Sequence, residues 1–274
     1  MGEEEGSQSL NISGFCALHD AHVHLAFMND RIQVAKDAAE KGSMLFSNTV
    51  VPSEFEPHAA EMQPYSNVFV GLGMHPWWIE ADDSLRHDIL SCYLDLIPKA
   101  RYLGEIGLDF GLKHEHTRDA QVEFLTGICR QAAAEGGKVI SIHAVRSAAT
   151  VLDILEETGC ISTCTCIFHW FSDTGSSLNR AIRAGCMFSV GRYMLASKRG
   201  LSYAAQIPLA QMLLETDDPE GEGVTWGYSA IAKALVSAVF SIAQAREKHP
   251  QGNQPTAPKE LSALLSNNMH RVFL

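Results

Sequence analysis

The chain has 274 residues, of which 46% are hydrophobic, and its formal net charge is −11. This composition suits a globular domain with a sizeable core. The negative charge works against an extended contact with a nucleic acid backbone, which needs dense lysine and arginine. It does not exclude a single phosphate or a strand end that enters a small pocket with its own positive charge.

The first segment, MGEEEGSQSLNISG, is acidic and polar. Because it lacks the basic and apolar regions of a secretory signal, residues 1–13 are predicted to be a disordered leader and residues 14–274 one folded domain. No apolar stretch reaches the roughly 20 residues that a membrane span needs. We therefore expect a cytoplasmic protein without a membrane partner. Its seven cysteines are expected to be reduced and packed as small hydrophobic residues.

Eight short apolar segments recur along the chain and predict strands. They are nearly uniformly apolar, which is typical of parallel strands buried on both faces. In chain order they read FCALHDAH, MLFSNTVV, NVFVGLGM, RYLGEIGL, KVISIHA, CTCIFHW, CMFSVG and QMLLETD. Their carboxyl ends fall near residues 24, 51, 75, 109, 143, 169, 191 and 217. The mean step of about 28 residues suits one βα unit.

Apolar residues at three- and four-residue steps predict helices between these strands, each ending at Gly or Pro. The helical segments include RIQVAKDAAEKG, SLRHDILSCYLDLIPKA, AQVEFLTGICRQAAAEGG, SAATVLDILEETG and SSLNRAIRAG. The longest, YSAIAKALVSAVFSIAQAREK, follows the eighth strand, and PKELSALLSNNMHRVF comes last after a polar loop. Eight uninterrupted βα units predict a single-domain α/β protein with a closed (β/α)8 TIM barrel, rather than an open doubly wound sheet.

Five of the predicted strands end on residue types that bind divalent metals. In such barrels the chemistry lies at the carboxyl ends of the strands, so these side chains are expected to meet at one mouth. Neutral imidazoles and carboxylates are what a hydrolytic metal site needs. Core packing is a poor explanation for six such residues in this order. The predicted metal ligands are His22, His24, Glu105, His143, His169 and Asp217.

The ligands at the two ends of the chain are expected to share one metal. His22 and His24 lie two positions apart on a strand, so both side chains project to one face. Asp20 has the same parity and is a candidate acceptor that orients one of the rings. Asp217, after the eighth strand, can bind the same metal and accept a proton from the nucleophilic water. Asp218 is expected to point the other way.

Glu105 lies between two glycines in GEIGLD. A carboxylate in an apolar strand is costly to bury unless it is paired or bound to a metal. A bridging position between two metals would satisfy both of its oxygens, and an ion pair with an arginine in the barrel is the alternative. His143 and His169 end consecutive strands and suit a second metal, although either alone would more often be a core histidine. Glu105 and Asp217 are thus the predicted catalytic residues.

Further residues near the predicted mouth are candidates for binding substrate. His75 ends the third strand and is favoured as a donor to a phosphate or carbonyl oxygen over a role as a further metal ligand. Arg146 follows His143 by three residues, where a guanidinium suits phosphate or carboxylate recognition. Asp109 is either an outer contact of the metal site or faces the substrate. Four aromatic residues either stack on a base or pack at the rim: Trp77, Trp78, Trp170 and Phe171.

A set of short motifs covers about residues 14 to 274. They are D-A-H-V-H, G-L-G-M-H-P, G-E-I-G-L-D, Q-V-E-F, S-I-H, F-H-W-F-S-D, A-G-C-M-F-S-V-G, L-L-E-T-D-D-P and N-M-H-R-V-F. In these motifs and their order the chain resembles the TatD-type metal-dependent hydrolases of the amidohydrolase-like barrel superfamily. The resemblance implies a (β/α)8 barrel that binds one to three divalent metal ions. It also implies that one ion is held by His22, His24 and Asp217, a second by His143 and His169, and that Glu105 bridges them.

Family members are typically described as 3′–5′ exonucleases or DNases. The resemblance therefore implies hydrolysis of phosphodiester bonds at DNA or RNA ends, or in a small phosphodiester. A metal-bound hydroxide would attack phosphorus, Asp217 would orient the water, and His75 and Arg146 would steady the phosphate. The sequence departs from the usual pattern at Glu220, where the family usually has Tyr. An acidic residue near the mouth weakens the attraction for a polynucleotide.

Two other functions remain open. The same hydroxide can attack carbon in a carboxylic ester or a C–N bond, as in deacylation of an aminoacyl-tRNA. The barrel is alternatively a non-catalytic, metal-binding partner protein, although decayed sites usually lose a ligand. Mixed histidine and carboxylate ligands accept Zn, Mn, Ni or Fe, and Mg more weakly. The chain is expected to be a monomer or a weak oligomer.

Overall fold

Eight parallel strands pair in chain order and confirm the predicted barrel. The computed structural model describes residues 15, 17–248 and 257–274. The predicted leader, residues 1–13, lies outside them. The strands are β1 (Asp20–Val23), β2 (Leu45–Asn48), β3 (Val68–Met74), β4 (Tyr102–Asp109), β5 (Val139–Val145), β6 (Thr165–His169), β7 (Met187–Val190) and β8 (Met212–Leu214).

Two backbone hydrogen bonds join the last strand to the first at the carboxyl end of the barrel. The amide of Asp217 donates to the carbonyl of His22 at 2.8 Å, and the amide of His24 donates to the carbonyl of Asp218 at 2.8 Å. The ligand-bearing ends of β1 and β8 are therefore held side by side. Residues remote in sequence become neighbours because the sheet closes.

Helices follow the strands and form the outer layer. They are α1 (Arg31–Glu40), α2 (Pro52–Met62), α3 (Asp83–Leu96), α4 (Arg118–Glu135), α5 (Ala148–Glu157), α6 (Cys160–Thr163), α7 (Gly175–Arg183), α8 (Arg192–Leu195), α9 (Lys198–Gln206), α10 (Tyr228–Lys248) and α11 (Pro258–Phe273). Large buried apolar side chains fill the space between the helices and the sheet.

The interior of the barrel is apolar toward the amino ends of the strands. One cluster there contains inward residues from six strands together with Met269 and Phe273 of α11. The Phe273 ring lies 5.1 Å from the Phe46 ring, and its carbonyl accepts from the Tyr102 hydroxyl at 3.0 Å. Since Phe46 and Tyr102 lie at the starts of their strands, α11 closes the amino-terminal mouth. The opposite mouth is left for the site.

The longest helix, α10, meets the length and hydropathy criteria for a membrane span. The sequence analysis predicts no membrane span because Lys233 interrupts the apolar residues of this segment. By length and mean hydropathy, which tolerate one charged residue, that prediction is wrong. A single such helix is weak evidence of a membrane span, because a helix that packs on a protein core can meet the same criteria. Nine residues of α10 are buried, among them Ile231, Leu235 and Val239, and the helix packs against α9.

Candidate metal centre

The six predicted metal ligands lie together at the carboxyl end of the barrel. They come from β1 and the residue that follows it, from β4, β5 and β6, and from the segment after β8. Five of the side chains are buried, and the side chain of Asp217 is 14% exposed. Asp217 is thus the ligand that solvent at the mouth reaches most easily. Its backbone φ of 57° lies in the left-handed region, which turns the chain sharply at this position.

One group of ligand atoms surrounds a shared space beside Glu105. The Nε2 atom of His22 lies 3.3 Å from Glu105 Oε2 and 3.5 Å from Asp217 Oδ1. The Nε2 atom of His24 lies 3.5 Å from the same Glu105 oxygen and 3.4 Å from the same Asp217 oxygen. Two imidazoles and two carboxylates within this distance are a ligand set for a divalent cation.

A second group surrounds the other oxygen of the same carboxylate. Glu105 Oε1 lies 2.7 Å from His143 Nδ1 and 2.7 Å from His169 Nε2. The two imidazole nitrogens are 3.4 Å apart. The structure therefore brings His143 and His169 together beside Glu105, and the two oxygens of Glu105 face two different sets of histidines.

The hydrogen bond of His24 to the backbone shows that this space suits a cation. Its Nδ1 atom lies 3.1 Å from the Asn48 carbonyl, which can only accept, so Nδ1 carries the proton. In the neutral ring Nε2 then directs a lone pair at the carboxylates of Glu105 and Asp217. That arrangement is repulsive unless a proton or a metal ion lies between them. Burial lowers the pKa of His24, but the two carboxylates outweigh burial and raise it to about 9.

Glu105 is held in the ionised state by its histidine neighbours. Burial alone would favour the neutral acid, but the imidazoles of His75, His169 and His22 keep its pKa well below the usual range. The pKa of Asp217 is lowered in the same way: burial opposes the charge, and the hydrogen bond from His24 outweighs it. Both carboxylates therefore offer negative oxygens at neutral pH.

Glycines on both sides of Glu105 allow β4 to approach its neighbours closely. Gly104 and Gly107 each have a φ of 152°. A Cβ at Gly104 would meet Asn48 Oδ1 at 2.3 Å, and a Cβ at Gly107 would meet the His143 carbonyl at 2.0 Å. The motif G-E-I-G thus lets the carboxylate-bearing strand fit against both β2 and β5.

His22 is oriented by Ser141 rather than by Asp20. Its Nδ1 atom lies 2.7 Å from the Ser141 hydroxyl on β5. Asp20 instead accepts from the backbone amides of His22 at 3.1 Å and Thr216 at 3.0 Å. Its second oxygen accepts from the Thr216 hydroxyl at 2.5 Å. The expectation that Asp20 orients a ring is therefore wrong. It ties the backbone of β1 to the segment after β8.

Asp109 contacts a predicted ligand. Its Oδ2 atom lies 3.5 Å from His143 Nε2 and accepts from the indole of Trp77 at 2.6 Å. The amide of Gly111 donates to the other oxygen at 2.7 Å. Burial opposes the charge on Asp109, but these donors lower its pKa. Of the two roles considered for Asp109, an outer contact of the metal site fits this geometry.

His75 lies inside the cluster, more deeply than a substrate contact requires. It is buried, its Nδ1 accepts from the Trp77 amide at 3.2 Å, and its Nε2 lies 3.4 Å from Glu105 Oε1. Glu105, His75 and His143 form another group whose ligand atoms could hold a cation. Because Nδ1 accepts a hydrogen bond, Nε2 carries the hydrogen of the neutral ring and faces Glu105 as a donor. This favours the predicted role as a donor over a role as a further ligand, and the contact to substrate stays a prediction.

Arg146 lies at the mouth but does not touch the centre. It is exposed in the turn between β5 and α5, with a φ of 54°, two residues before the first residue of the helix. No hydrogen bond or ion pair involves its side chain among the residues that the structure describes. Its predicted role in phosphate recognition stays a prediction.

Glu215 is a buried residue of the site that the sequence prediction omits. Its Oε1 accepts from the Trp170 amide at 2.9 Å, and its Oε2 accepts from the Ser189 hydroxyl at 2.5 Å. It also lies close enough to His22 and His169 to share a cation with them. Burial and the charge of Asp217 raise its pKa well above the usual value. A carboxylate at the end of an apolar strand, the signal used for Glu105, also marks Glu215.

The four aromatic residues near the ligands differ in exposure. Trp77, Trp78 and Trp170 are 53%, 57% and 40% exposed. Phe171 is 2% exposed and packs against Phe168 and Phe188, so of the two roles considered for it, packing fits the structure.

A closed (β/α)8 barrel with clustered histidines and carboxylates at its carboxyl mouth defines a metal-dependent hydrolase. A family model described as TatD related DNase matches residues 19–274. The chain therefore belongs to the TatD-related DNase family, as the sequence motifs predict.

Known relatives agree with this assignment. The chain is 27% identical to "Deoxyribonuclease TATDN3" of Homo sapiens over 216 aligned residues. The alignment covers 74% of this chain and 78% of that protein. It is 27% identical over 202 residues to "3'-5' ssDNA/RNA exonuclease TatD" of Dickeya dadantii, over 70% and 74% of the two chains. The solved structure of YjjV, a TatD homologue from Escherichia coli K12, shares the fold with a TM-score of 0.75 at 20% identity, covering 94% and 98% of the chains.

Proposed function

We propose that the chain is a divalent-metal-dependent phosphodiesterase that acts on nucleic acid ends, as an exonuclease or DNase. The position of Glu105 carries the proposal. One oxygen lies 3.3 Å from His22 Nε2, and the other lies 2.7 Å from both His143 Nδ1 and His169 Nε2. A carboxylate between two ligand sets is typical of two-metal phosphatases and nucleases. The names of the TATDN3 and TatD relatives support the same substrate class.

Two divalent ions fit the ligand sets best. His22, His24 and Asp217 would hold one, His143 and His169 the other, and Glu105 would bridge them. Bound divalent ions supply Lewis acidity to a water molecule and to the phosphoryl oxygens. The mixture of nitrogen and oxygen ligands favours Zn, Mn or Ni over Mg.

The chain's own residues perform the remaining tasks. Asp217 is ionised and is the most accessible ligand, so its carboxylate can accept the proton of the attacking water. Arg146 at the rim can bind a phosphate oxygen as a fixed positive charge. His75, with Nδ1 occupied by the Trp77 amide, presents Nε2 to the centre and can donate to a phosphate oxygen.

The surface charge restricts the form of the substrate. A net charge of −11 disfavours a long contact with a polyanion. A terminal nucleotide needs to place only one or two phosphates at the mouth, where the bound cations offset the protein charge. A strand end therefore fits better than the interior of a duplex. The monomeric or weakly oligomeric state and the cytoplasmic location stay predictions.

The test is an activity assay of the purified chain, stripped of metal and reloaded with Zn, Mn, Ni or Mg. We expect release of nucleotides from single-stranded DNA or RNA and cleavage of an aryl phosphodiester. Glu105→Gln should lower kcat/KM at least 100-fold. His87→Asn is the matched control, because His87 is an exposed residue of α3 outside the centre.

The same assay separates the other hydrolase reactions. An aryl carboxylic ester, an amide and an aminoacyl-tRNA are included as substrates. If these are hydrolysed while no phosphodiester is cleaved with any metal, the phosphodiesterase proposal is wrong. If nothing is cleaved although the centre binds metal, a non-catalytic role replaces it.

A further inference from the structure

Four planar side chains stack on one another near the candidate metal centre. We use the name Trp170 column for Trp170, Tyr193, Arg192 and Trp226. The rings of Trp170 and Tyr193 stack with centroids 4.9 Å apart and an interplanar angle of 22°. The Arg192 guanidinium carbon lies 4.6 Å from the Tyr193 centroid and 5.8 Å from the Trp226 centroid. These contacts join the segments that follow β6, β7 and β8.

Hydrogen bonds connect the Trp170 column to the segments that carry the predicted metal ligands. Trp170 directly follows His169, and its amide donates to Glu215 Oε1 at 2.9 Å. The Arg192 guanidinium donates to Asp218, the residue after Asp217, at 2.5 Å. The rings therefore have a fixed position relative to the centre. When a ligand contacts the rings and the centre together, the protein loses little conformational entropy, because these side chains are already ordered.

Trp170 is held in a conformation that turns its ring toward solvent. Its φ is 37°, in the left-handed region that L residues avoid. The side chain is 40% exposed, whereas the flanking His169 and Phe171 are buried. Among the residues that the structure describes, Tyr193 is the one ring stacked on Trp170. Trp170 thus offers partly exposed aromatic surface one residue from a predicted metal ligand.

Trp77, another exposed tryptophan near the centre, is less available than Trp170. Trp77 is stacked on His114, with centroids 5.2 Å apart and an interplanar angle of 7°. Lys113 Nζ lies 5.8 Å from the centroid of the Trp77 ring, and the indole nitrogen of Trp77 donates to Asp109. Its ring is therefore already engaged by neighbouring side chains. The Trp170 face is the better candidate for a ligand.

We propose that the open face of Trp170 is a stacking site for one nucleobase, that of the terminal nucleotide whose phosphate lies at the metal centre. This inference rests on the proposed phosphodiesterase function. An aromatic face accepts any base, because every base has a π surface and needs no matching hydrogen bonds. The site therefore favours nucleotides over other phosphodiesters without reading the sequence.

The test compares variants on strands with and without the terminal base. Trp170→Ala should lower kcat/KM about tenfold on an oligothymidylate, mainly by raising KM. On the same strand with an abasic terminal residue, the variant and the wild type should differ by less than about twofold. Trp170→Phe should recover most of the loss. Phe240→Ala, an exposed aromatic residue on α10, should behave as the wild type on both strands.

Two results would overturn the stacking site. An equal loss on both strands would mean that Trp170 supports the shape of the centre. No loss on either strand would mean that the base does not contact it.

A binding measurement keeps the two proposals separate. Thymidine 5′-monophosphate and deoxyribose 5-phosphate are titrated into the metal-loaded protein by calorimetry. We expect the wild type to bind the nucleotide about tenfold more tightly, and Trp170→Ala to lose this preference. A wild type that cleaves DNA but binds both equally contradicts the stacking site alone. A wild type that prefers the nucleotide but cleaves no phosphodiester contradicts the proposed function alone.

Discussion

Ser141 shows how the site depends on residues that bind no metal. Its hydroxyl lies 2.7 Å from His22 Nδ1 and fixes the direction of the opposite nitrogen, Nε2, toward Glu105. Outer contacts of this kind set the orientation and basicity of a ligand.

We predict that Ser141→Ala weakens metal affinity by roughly 10- to 100-fold and leaves kcat at saturating metal within a few-fold of the wild type. Competition with a chelator measures the affinity, and Ser202→Ala on α9 serves as the control. Unchanged affinity would show that His22 needs no orienting partner.

The sequence predicts the ligands better than it predicts their partners. His22, Glu105 and Asp217 belong to the predicted set because a charged or imidazole side chain interrupts an apolar strand end. Ser141 carries no such signal, because a small hydroxyl residue is unremarkable in a buried strand. For Trp170 and Phe171 the sequence leaves stacking and packing open, and the structure separates them, because Phe171 is buried in the core and Trp170 is partly exposed to solvent.

At the scale of elements, the approach of β4 to β5 positions Glu105 beside His143. A Cβ at Gly107 would lie 2.0 Å from the His143 carbonyl, so the two strands could not keep their register. Gly185 also has a positive φ, of 85°, but has open space around it. A substitution at Gly107 would therefore add a steric clash to the cost of the positive φ, whereas a substitution at Gly185 would carry only the cost of the positive φ.

We predict that Gly107→Ala destabilises the fold by about 3 kcal/mol or more. Gly185→Ala should cost only about 1 kcal/mol, because a left-handed conformation is the only penalty there. Urea denaturation measures both free energies of unfolding. Equal losses would mean that the close contact between β4 and β5 relaxes without cost.

Element positions were predictable where the periodicity is strong. All eight strands were found, but β1 begins at Asp20 rather than at Phe15, and β8 ends at Leu214 rather than at Asp217. The helix α2 was not predicted, because Pro57 and few apolar residues weaken its helical pattern. The sequence also does not predict the short helices α6, α8 and α9, since hydrophobic spacing signals long helices better than short ones.

At the scale of the whole molecule, α11 is tied to the barrel by a buried histidine. His19 Nδ1 accepts from the Met44 amide at 2.9 Å, and Nε2 then carries the hydrogen that is shared with the Ser266 hydroxyl at 2.8 Å. The contact with Met44 requires the neutral ring, because a protonated ring has no nitrogen that can accept. Burial, assisted by His270, lowers the pKa of His19 from 6.5 to about 4.

This shift predicts a loss of stability in mild acid. Above pH 6.5 the ring is neutral in both states, so the contribution is fully present. Between pH 6.5 and about 4 the unfolded chain binds a proton that the folded chain does not, and stability falls. His19→Asn keeps an acceptor for the amide but does not titrate. From about pH 7.5 to about pH 5, it should lose about 2 kcal/mol less than the wild type in urea denaturation. Identical pH profiles would contradict the buried neutral state.

One carboxylate, Glu105, lies between two candidate cation sites, which together use residues from both ends of the chain. A crystal structure of the manganese-loaded protein, with anomalous scattering to locate the metal, tests it most directly. We predict two manganese peaks about 3.5–4 Å apart on either side of Glu105, one beside His22 and His24 and the other beside His143 and His169. Metal bound elsewhere, or a single ion that does not contact Glu105, would contradict the claim.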